Sequence, residues 1–350
     1  MGKKELMNNK FWKNKKVFIT GHTGFKGSWL SVYLYSLGAK IYGYSLKETN
    51  NSIFRFAKLN SIFEKSIHGD ILDKGKLSKS LKKIKPTIVF HLAAQSLVTK
   101  AFQKPILTFD TNITGTANLL SALSEINSIK ICMVTTTDKV YKPVNKNKYF
   151  SENDLLGGTE PYSLSKVCVE NYLNTVCEFL NFTSLSVRSG NVVGYGDYTE
   201  GRIIPDILRA IKAKQNLQIR NSKAIRPWLY ILDSLNGYIN LVERVSNKKI
   251  NVKKISSWNF APNKSDHVNV LSLVKKFKKY NNFSYSIKKK KLKENKYLKL
   301  DSSKSKKIIS WIPKYNINKI VNELSGLYNV KPNLKLMLQI IDNYKLAKGK

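Results

Sequence analysis

The sequence predicts a doubly wound parallel α/β sheet followed by a smaller C-terminal domain, and three observations carry that prediction. A short apolar run, Lys16 to Thr20, leads through the glycine-rich turn GHTGFKG into a helical pattern from Trp29 to Leu37. Further short apolar runs at Lys40–Tyr44, Thr87–His91, Ile131–Val134 and Thr183–Val187 alternate with helical patterns, the arrangement of parallel strands joined by crossover helices. From Gly190 onward the composition changes to segments mixing glycine, arginine and aromatic residues. The expected division is therefore 1–189 for the sheet, with the catalytic residues, and 190–350 for a lid that returns some segments to the core. With 350 residues, 42% of them hydrophobic, the chain can bury one large core or two smaller ones.

In the first unit, Gly21, Gly24 and Gly27 space the turn as G-x-x-G-x-x-G. One glycine allows the tight turn, one lets the backbone reach a pyrophosphate and one lets the helix pack closely. A Rossmann-type dinucleotide site is expected there, with Thr23 and Phe25 inside the same turn, and Gly38 stops the helix that follows. At the end of the second strand, where an NAD-binding fold often carries an acid for the ribose, the residues are Ser45, Leu46 and Lys47. That stretch leaves NAD and NADP both open. His68-Gly69-Asp70 ends a third strand, so that Asp70 faces the adenine or caps a turn. After the fourth strand, HLAAQSLV offers Ala93 and Ala94, small enough for a cofactor to pass closely. Phe109 to Leu123 reads as one long amphipathic helix containing Asn112, which is expected among the cofactor-binding residues.

The stretch from Val134 to Lys166 gathers the groups that can move protons. Tyr162 and Lys166 stand four residues apart, which on a helix puts an ammonium beside a phenol. A nearby cation favours the phenolate, so the pair is expected to make Tyr162 a usable base. Thr137, Asp138 and Lys139 follow a buried strand and fall at its carboxyl end, where open α/β sheets bind ligands.

Beyond Lys166 the helix runs to about Leu180. Arg202 and Arg226 are candidates to fork onto phosphates. Lys275 to Lys299 reads as a hairpin with a solvated face, and LDSSKSKKIISWIPKYNINKIVNEL as a loop and two helices. One more amphipathic helix and a basic tail follow Tyr328.

The charge balance is 61 Lys plus Arg against 23 Asp plus Glu, a formal +38. The excess is almost all lysine, scattered rather than gathered, so no nucleic-acid partner is expected; the field should instead draw in a polyanionic substrate. No apolar run is long enough for a membrane span. MGKKELMNNKFWKNKK lacks the apolar centre of a signal peptide, and Leu6 stands where a myristoylation signal beginning at Gly2 needs Ser or Thr. Cys132, Cys168 and Cys177 show no metal-ligand spacing. A reduced, cytoplasmic protein without a metal is the expectation.

TGHTGFKGSWLS, HLAAQSLV, TTDKVY, LLGGTEPYSLSK, RSGNVVGYGD, IRPWLYILD and LDSSKSKKIISWIPKY together resemble the extended short-chain dehydrogenase/reductase family over nearly the whole chain. Within that family they are most similar to the branch that dehydrates CDP-glucose. In that branch a lysine, here Lys139, stands where sister dTDP-glucose and GDP-mannose dehydratases have glutamate. Departures are Thr137 for the more usual serine, Val140 for cysteine, and the Ser45 to Lys47 stretch. The resemblance implies NAD as a cofactor that is regained each turnover and CDP-glucose as substrate. It implies Tyr162 as base at C4, Thr137 to orient the hydroxyl, Asp138 as acid for the C6 hydroxyl, and Lys139 or a water near it for C5. A lysine base must be neutral, which burial or the charge of Lys166 would promote. Gln95, Ser96, Asn191, Arg202, Arg226 and Tyr230 are implied for the substrate, and a homodimer is common in the family. An epimerase would share Tyr162 and Lys166 but has no use for an acid beside C6. Inverting UDP-N-acetylglucosamine dehydratases carry a similar Thr-Asp-Lys run but lack the RPW segment. The remaining alternative is a cofactor-binding regulator that contacts nucleic acid.

Overall fold

The structure is a computed structural model that describes residues 9–144, 148–288 and 297–347. Gly2 and Leu6, the last residues of the basic tail, 145–147 of the Val134–Lys166 stretch and 289–296 of the lysine-rich run lie outside the described residues.

Seven strands form the main sheet: β1 (Lys16–Thr20), β2 (Lys40–Ser45), β3 (Lys65–His68), β4 (Ile88–His91), β5 (Ile131–Thr135), β6 (Thr183–Ser189) and, from far along the chain, β10 (Ile255–Phe260). Their order is β10-β6-β5-β4-β1-β2-β3 and every pairing is parallel. The order reverses between β1 and β4, and a crevice opens at the carboxyl ends of such neighbours. Strands buried on both faces need continuous apolar runs, and β4 and β5 supply them as IVFH and ICMV, every residue buried. One apolar cluster, with Phe18, Val89, Leu119 and Leu173, packs one face; another, with Ile19, Trp29, Met133 and Leu235, packs the other.

The smaller sheets come from residues after Gly190. β7 (Asn191–Val193), β9 (Ile225–Tyr230) and β11 (His267–Asn269) pair in the order β11-β9-β7, and β8 (Leu217–Ile219) pairs with β12 (Tyr285–Ile287). β10 is the segment that goes back to the main sheet, with Ile255 opposite Ser184.

Two expectations need correction. The helix predicted over Phe109–Leu123 is interrupted by a π turn at Asp110–Thr114, between helical segments Pro105–Phe109 and Gly115–Ser124. Thr116 Oγ1 donates to the Asn112 carbonyl at 2.6 Å, the kind of back-bonding that disturbs a regular helix, and π turns often sit at functional sites. Among its described residues the lysine-rich run does not form a hairpin: its start belongs to the helix Val270–Lys278, and Tyr285–Ile287 pairs in parallel with β8. Val270, Leu273, Val274 and Phe277 are buried at helical spacing, and that face outweighs the lysines between them. The helices Ser303–Ile309, Ile317–Leu327 and Leu334–Leu346 stand where the sequence places them. Among the described residues no helix is long and apolar enough to cross a membrane.

Candidate active site

The glycine turn, the ends of β4 and β5, and the segments after Gly190 enclose a cavity of about 740 Å³. Gly21 has φ of +73°, and a Cβ there would meet Ala93 N at 2.7 Å. At Gly27 a Cβ would lie 2.2 Å from the Gly21 carbonyl oxygen, so the first turn of the helix Phe25–Ser36 presses directly on the strand turn. This leaves the free N–H groups of a twelve-residue helix facing the cavity, a cradle for a pyrophosphate. Thr23, Gly24, Phe25, Asp70, Ala93 and Ala94 line the same space. Thr23 Oγ1 is held 2.8 Å from Ser45 Oγ and donates to the Leu46 carbonyl at 3.0 Å. Asp70 lines the cavity, and its Oδ1 accepts the Leu72 N–H at 3.0 Å, which is the turn cap.

A chain of buried hydrogen bonds fixes the wall opposite. The Ala93 N–H donates to Thr20 Oγ1 at 3.2 Å, Thr20 Oγ1 lies 2.7 Å from His91 Nδ1, and His91 Nε2 lies 2.9 Å from Thr116 Oγ1. Because the Thr116 hydroxyl spends its hydrogen on the Asn112 carbonyl, His91 must carry its proton on Nε2 and accept at Nδ1. Burial holds that imidazole neutral, its pKa down at about 3. Asn112 itself does not reach the cavity. Its side chain is fully buried, accepting the Gln95 N–H at 2.8 Å and donating to Ser165 Oγ at 2.8 Å. It therefore joins the wall carrying Ala93 to the helix carrying Tyr162 and Lys166.

Thr137, Asp138 and Lys139 emerge from β5 into a short 3₁₀ turn, and Tyr162 and Lys166 project from the helix Pro161–Val176 beside them. All five line the cavity. Thr137 Oγ1 donates to Asp138 Oδ1 at 3.0 Å and is also hydrogen-bonded to the Tyr162 side chain. That second bond favours the phenolate, so the threonine hydroxyl is shared between the Asp138 carboxyl and the Tyr162 oxygen. Burial pushes that phenol up to about 12; the Thr137 bond pulls the other way, and the cation that chiefly helps is Arg202. The expectation that Lys166 lowers the phenol is corrected to this extent. Lys166 is buried, donates to the Thr135 carbonyl at 3.1 Å, and is itself lowered to about 8 by burial.

Asp138 is 3% exposed. Burial raises its pKa, opposed by Lys139, the Thr137 bond, Arg226 and Lys26. Among the described residues its Oδ2 has no hydrogen-bond partner. A buried carboxyl with an unmet oxygen in a cavity costs stability unless a ligand meets it.

Gln95, Ser96, Asn191, Arg202 and Arg226 line the cavity. Arg202 donates to Asp197 Oδ2 and to Ser96 Oγ, both at 3.3 Å, and so spans the mouth. Tyr230 does not join them. It is fully buried, donates to Glu323 Oε1 at 2.5 Å and stacks on Tyr315 with centroids 4.3 Å apart. Its partners come from the helix Ile317–Leu327 and the residues before it, which pull the end of β9 away from the site. Lys26 was missed. It lines the cavity, and burial, with Arg202 and Lys166 adding to it, lowers its ammonium to about 7. Its position between two turn glycines was the available signal.

A family model described as GDP-mannose 4,6 dehydratase matches residues 18–324. The chain belongs to this family. Within the GDP-mannose 4,6 dehydratase family and its relatives, the chain is 38% identical over 332 residues to a CDP-glucose 4,6-dehydratase of Salmonella typhimurium, covering 91% of this chain and 92% of that protein. It is 26% identical to a CDP-paratose 2-epimerase of Salmonella typhi, over 75% of this chain and 82% of the relative. Among solved structures, a dTDP-glucose 4,6-dehydratase from Bacillus anthracis in complex with NAD superposes with a TM-score of 0.76 at 21% identity, covering 90% of this chain and 96% of that one. A UDP-glucose 4-epimerase from Bifidobacterium longum with NAD⁺ and UDP gives 0.79 at 19% identity, over 90% and 99%. These two likenesses concern the fold.

The cradle makes a direct prediction. Gly27→Val places a branched side chain where a single Cβ already lies 2.2 Å from Gly21 O, so calorimetry should show dinucleotide binding weakened at least tenfold. Affinity equal to the parent's would refute the placement of the pyrophosphate.

Proposed function

We propose that the protein is an NAD-dependent CDP-glucose 4,6-dehydratase, converting CDP-glucose to CDP-4-keto-6-deoxyglucose and water. The observation that carries this reading is Asp138, a buried carboxyl at the same cavity as Tyr162, bridged to it by Thr137 and left with one unmet oxygen. An epimerase needs the tyrosine but not this acid. The choice of CDP-glucose among nucleotide sugars is supported by the 38% identical relative.

The residues around the glycine turn fit a dinucleotide: Gly21, Gly24 and Gly27 would admit its pyrophosphate, Asp70 would meet the adenine, and Tyr162 and Lys166 would serve the reacting end. When bound, NAD supplies the acceptor for hydride from C4 of the sugar and later the donor of hydride to C6. Tyr162 removes the proton of the C4 hydroxyl, and Thr137 orients that hydroxyl. The ketone formed at C4 acidifies the hydrogen on C5. A base beside Lys139 takes it, and Asp138 protonates the C6 hydroxyl, which leaves as water. The proton returned to C5 completes the product. The carboxyl that burial raises is suited to carry the acid's proton. Arg202 and Arg226 are placed to hold the pyrophosphate of the substrate, with Gln95, Ser96 and Asn191 along the sugar.

The test is to offer CDP-, dTDP-, UDP- and GDP-glucose, with GDP-mannose, and look for a 4-keto product. CDP-glucose alone should give one with NAD in catalytic amount. A requirement for stoichiometric NAD, or preference for another nucleotide, overturns the reading.

Residues 1–189 are assigned to cofactor and catalysis and 190–350 to the substrate lid, with 255–260 returned to the sheet. The reading extends to a cytoplasmic homodimer supplying a deoxysugar for O-antigen lipopolysaccharide. Phe102, Ile106 and Leu164 support the dimer: they are 50%, 74% and 41% exposed on helices packed beside one another near the active site. Sedimentation should return a dimer that Ile106→Glu converts to monomer, whereas a monomeric parent would contradict it.

A further inference from the structure

Behind the catalytic groups lies a buried ion pair that the reaction as described does not use. Glu170 stands one helical turn after Lys166, on the side of the helix facing β6. Its Oε1 accepts from Thr136 Oγ1 at 2.6 Å, from Ser186 Oγ at 2.6 Å and from Arg188 Nε at 2.9 Å. Its Oε2 accepts from Arg188 Nη2 at 2.9 Å and from Ser257 Oγ at 3.3 Å. Both charged side chains are almost wholly buried, 1% and 3% exposed. Arg188 is held in turn by the Tyr141 hydroxyl at 2.9 Å, and Tyr141 donates to Asn259 Oδ1 at 2.7 Å. A buried pair of this kind contributes little net stability against an apolar replacement, so its worth must be sought elsewhere. Thr136 shows where. It is the residue before Thr137 and Asp138, and its shortest side-chain hydrogen bond, 2.6 Å against 3.4 Å to the Val187 carbonyl, goes across to the helix of Tyr162 and Lys166.

We propose that Glu170 is a positioning residue for the reaction: it ties the strand-end segment carrying Thr137 and Asp138 to the helix carrying Tyr162 and Lys166, and sets the electrostatic surroundings of Lys166. The proposal rests on the dehydratase reading of the site. Two groups of reacting side chains lie on separate elements, and Thr136 with Glu170 is a direct polar link between them from behind the cavity. The charged groups acting on Lys166 or acted on by it come from several sides: Glu170 on its own helix, His91 from β4 and Lys26 from the glycine turn. His91 is neutral and Lys26 opposes a second positive charge, which leaves Glu170 as the negative charge that favours the ammonium. Arg188 faces Glu170 from β6, and Arg188 in turn interacts with Glu152 and with Lys304 of the helix Ser303–Ile309.

The decisive experiment compares Thr136→Val, Thr136→Ser and Glu170→Gln with the parent, using CDP-glucose and saturating NAD. Thr136→Val removes one hydroxyl and leaves the ion pair whole. Its kcat should fall about tenfold or more with KM nearly unchanged, since small misplacement of reacting groups costs up to roughly 10² in rate, and Thr136→Ser should restore it. Glu170→Gln keeps one oxygen acceptor, turns the other into an NH2 donor and removes the charge. Lys166 must be an ammonium to serve, so activity is lost as pH rises through its pKa of about 8; without Glu170 that loss should set in at lower pH. If Glu170→Gln does not fold because Arg188 is left unpaired, the Thr136 pair still decides the positioning. Folded variants with the parent's kcat and pH profile, or lowered melting temperature with an unmoved profile, overturn the proposal. A parent inactive on every nucleotide sugar would instead overturn the dehydratase reading.

Discussion

Tyr162→Phe is expected to stop the reaction before any reduced cofactor forms. The phenol is the group that can accept the C4 proton, and its bond with Thr137 holds it within the catalytic cluster. Its high pKa in the free protein, about 12, means that substrate and cofactor must together favour the phenolate; the oxidised nicotinamide carries a positive charge suited to that. General base help is commonly worth about 10² to 10⁴ in rate, and here the whole sequence depends on the first step. Turnover should fall by at least that factor while CDP-glucose still binds. Absorbance at the reduced nicotinamide band after mixing enzyme, NAD and substrate checks it: the parent should show a transient and the variant none.

Asp138→Asn is expected to separate the two halves of the chemistry. Asparagine keeps the shape and still accepts from Thr137, but it has no acidic proton for the C6 hydroxyl. Oxidation at C4 should survive and elimination should stall, lowering turnover by roughly 10² to 10⁴. Reduced nicotinamide should therefore build up on the enzyme and decay slowly. Failure to form it at all, with substrate bound normally, would assign the carboxylate to the first step. The replacement adds no negative charge among Lys139, Arg226 and Lys26, each of which acts on Asp138, so a loss of affinity for the anionic substrate is not expected.

The cofactor cradle and the catalytic cluster could be read from the chain because each is local. Three glycines between a strand and a helix, and a tyrosine four residues before a lysine, place their groups by backbone geometry alone. Asp138 could be placed by its distance from the end of an apolar strand. What could not be read depends on partners far along the chain. Arg226, Trp228 and Tyr230 share one face of β9 by their two-residue spacing, yet only the first two line the cavity. Tyr230 turns to Glu323 and Tyr315, contacts across 93 and 85 residues of sequence. Lys26 gains its lowered pKa from burial and from Arg202 and Lys166, which no local pattern brings to it. Asn112 was placed at the cofactor but serves the wall behind it, because the π turn rotates it onto Gln95 and Ser165. The lysine-rich segment misled for the opposite reason, since its charges hid a buried helical face.

The central claim is that one sugar is oxidised at C4, loses water across C5 and C6, and receives the same hydride at C6. CDP-glucose carrying deuterium at C4, turned over with a catalytic amount of unlabelled NAD, tests this most directly. The account predicts CDP-4-keto-6-deoxyglucose with the deuterium at C6 and none left at C4. Deuterium found still at C4 of an epimerised sugar, or released into a pool of free reduced cofactor, would contradict it.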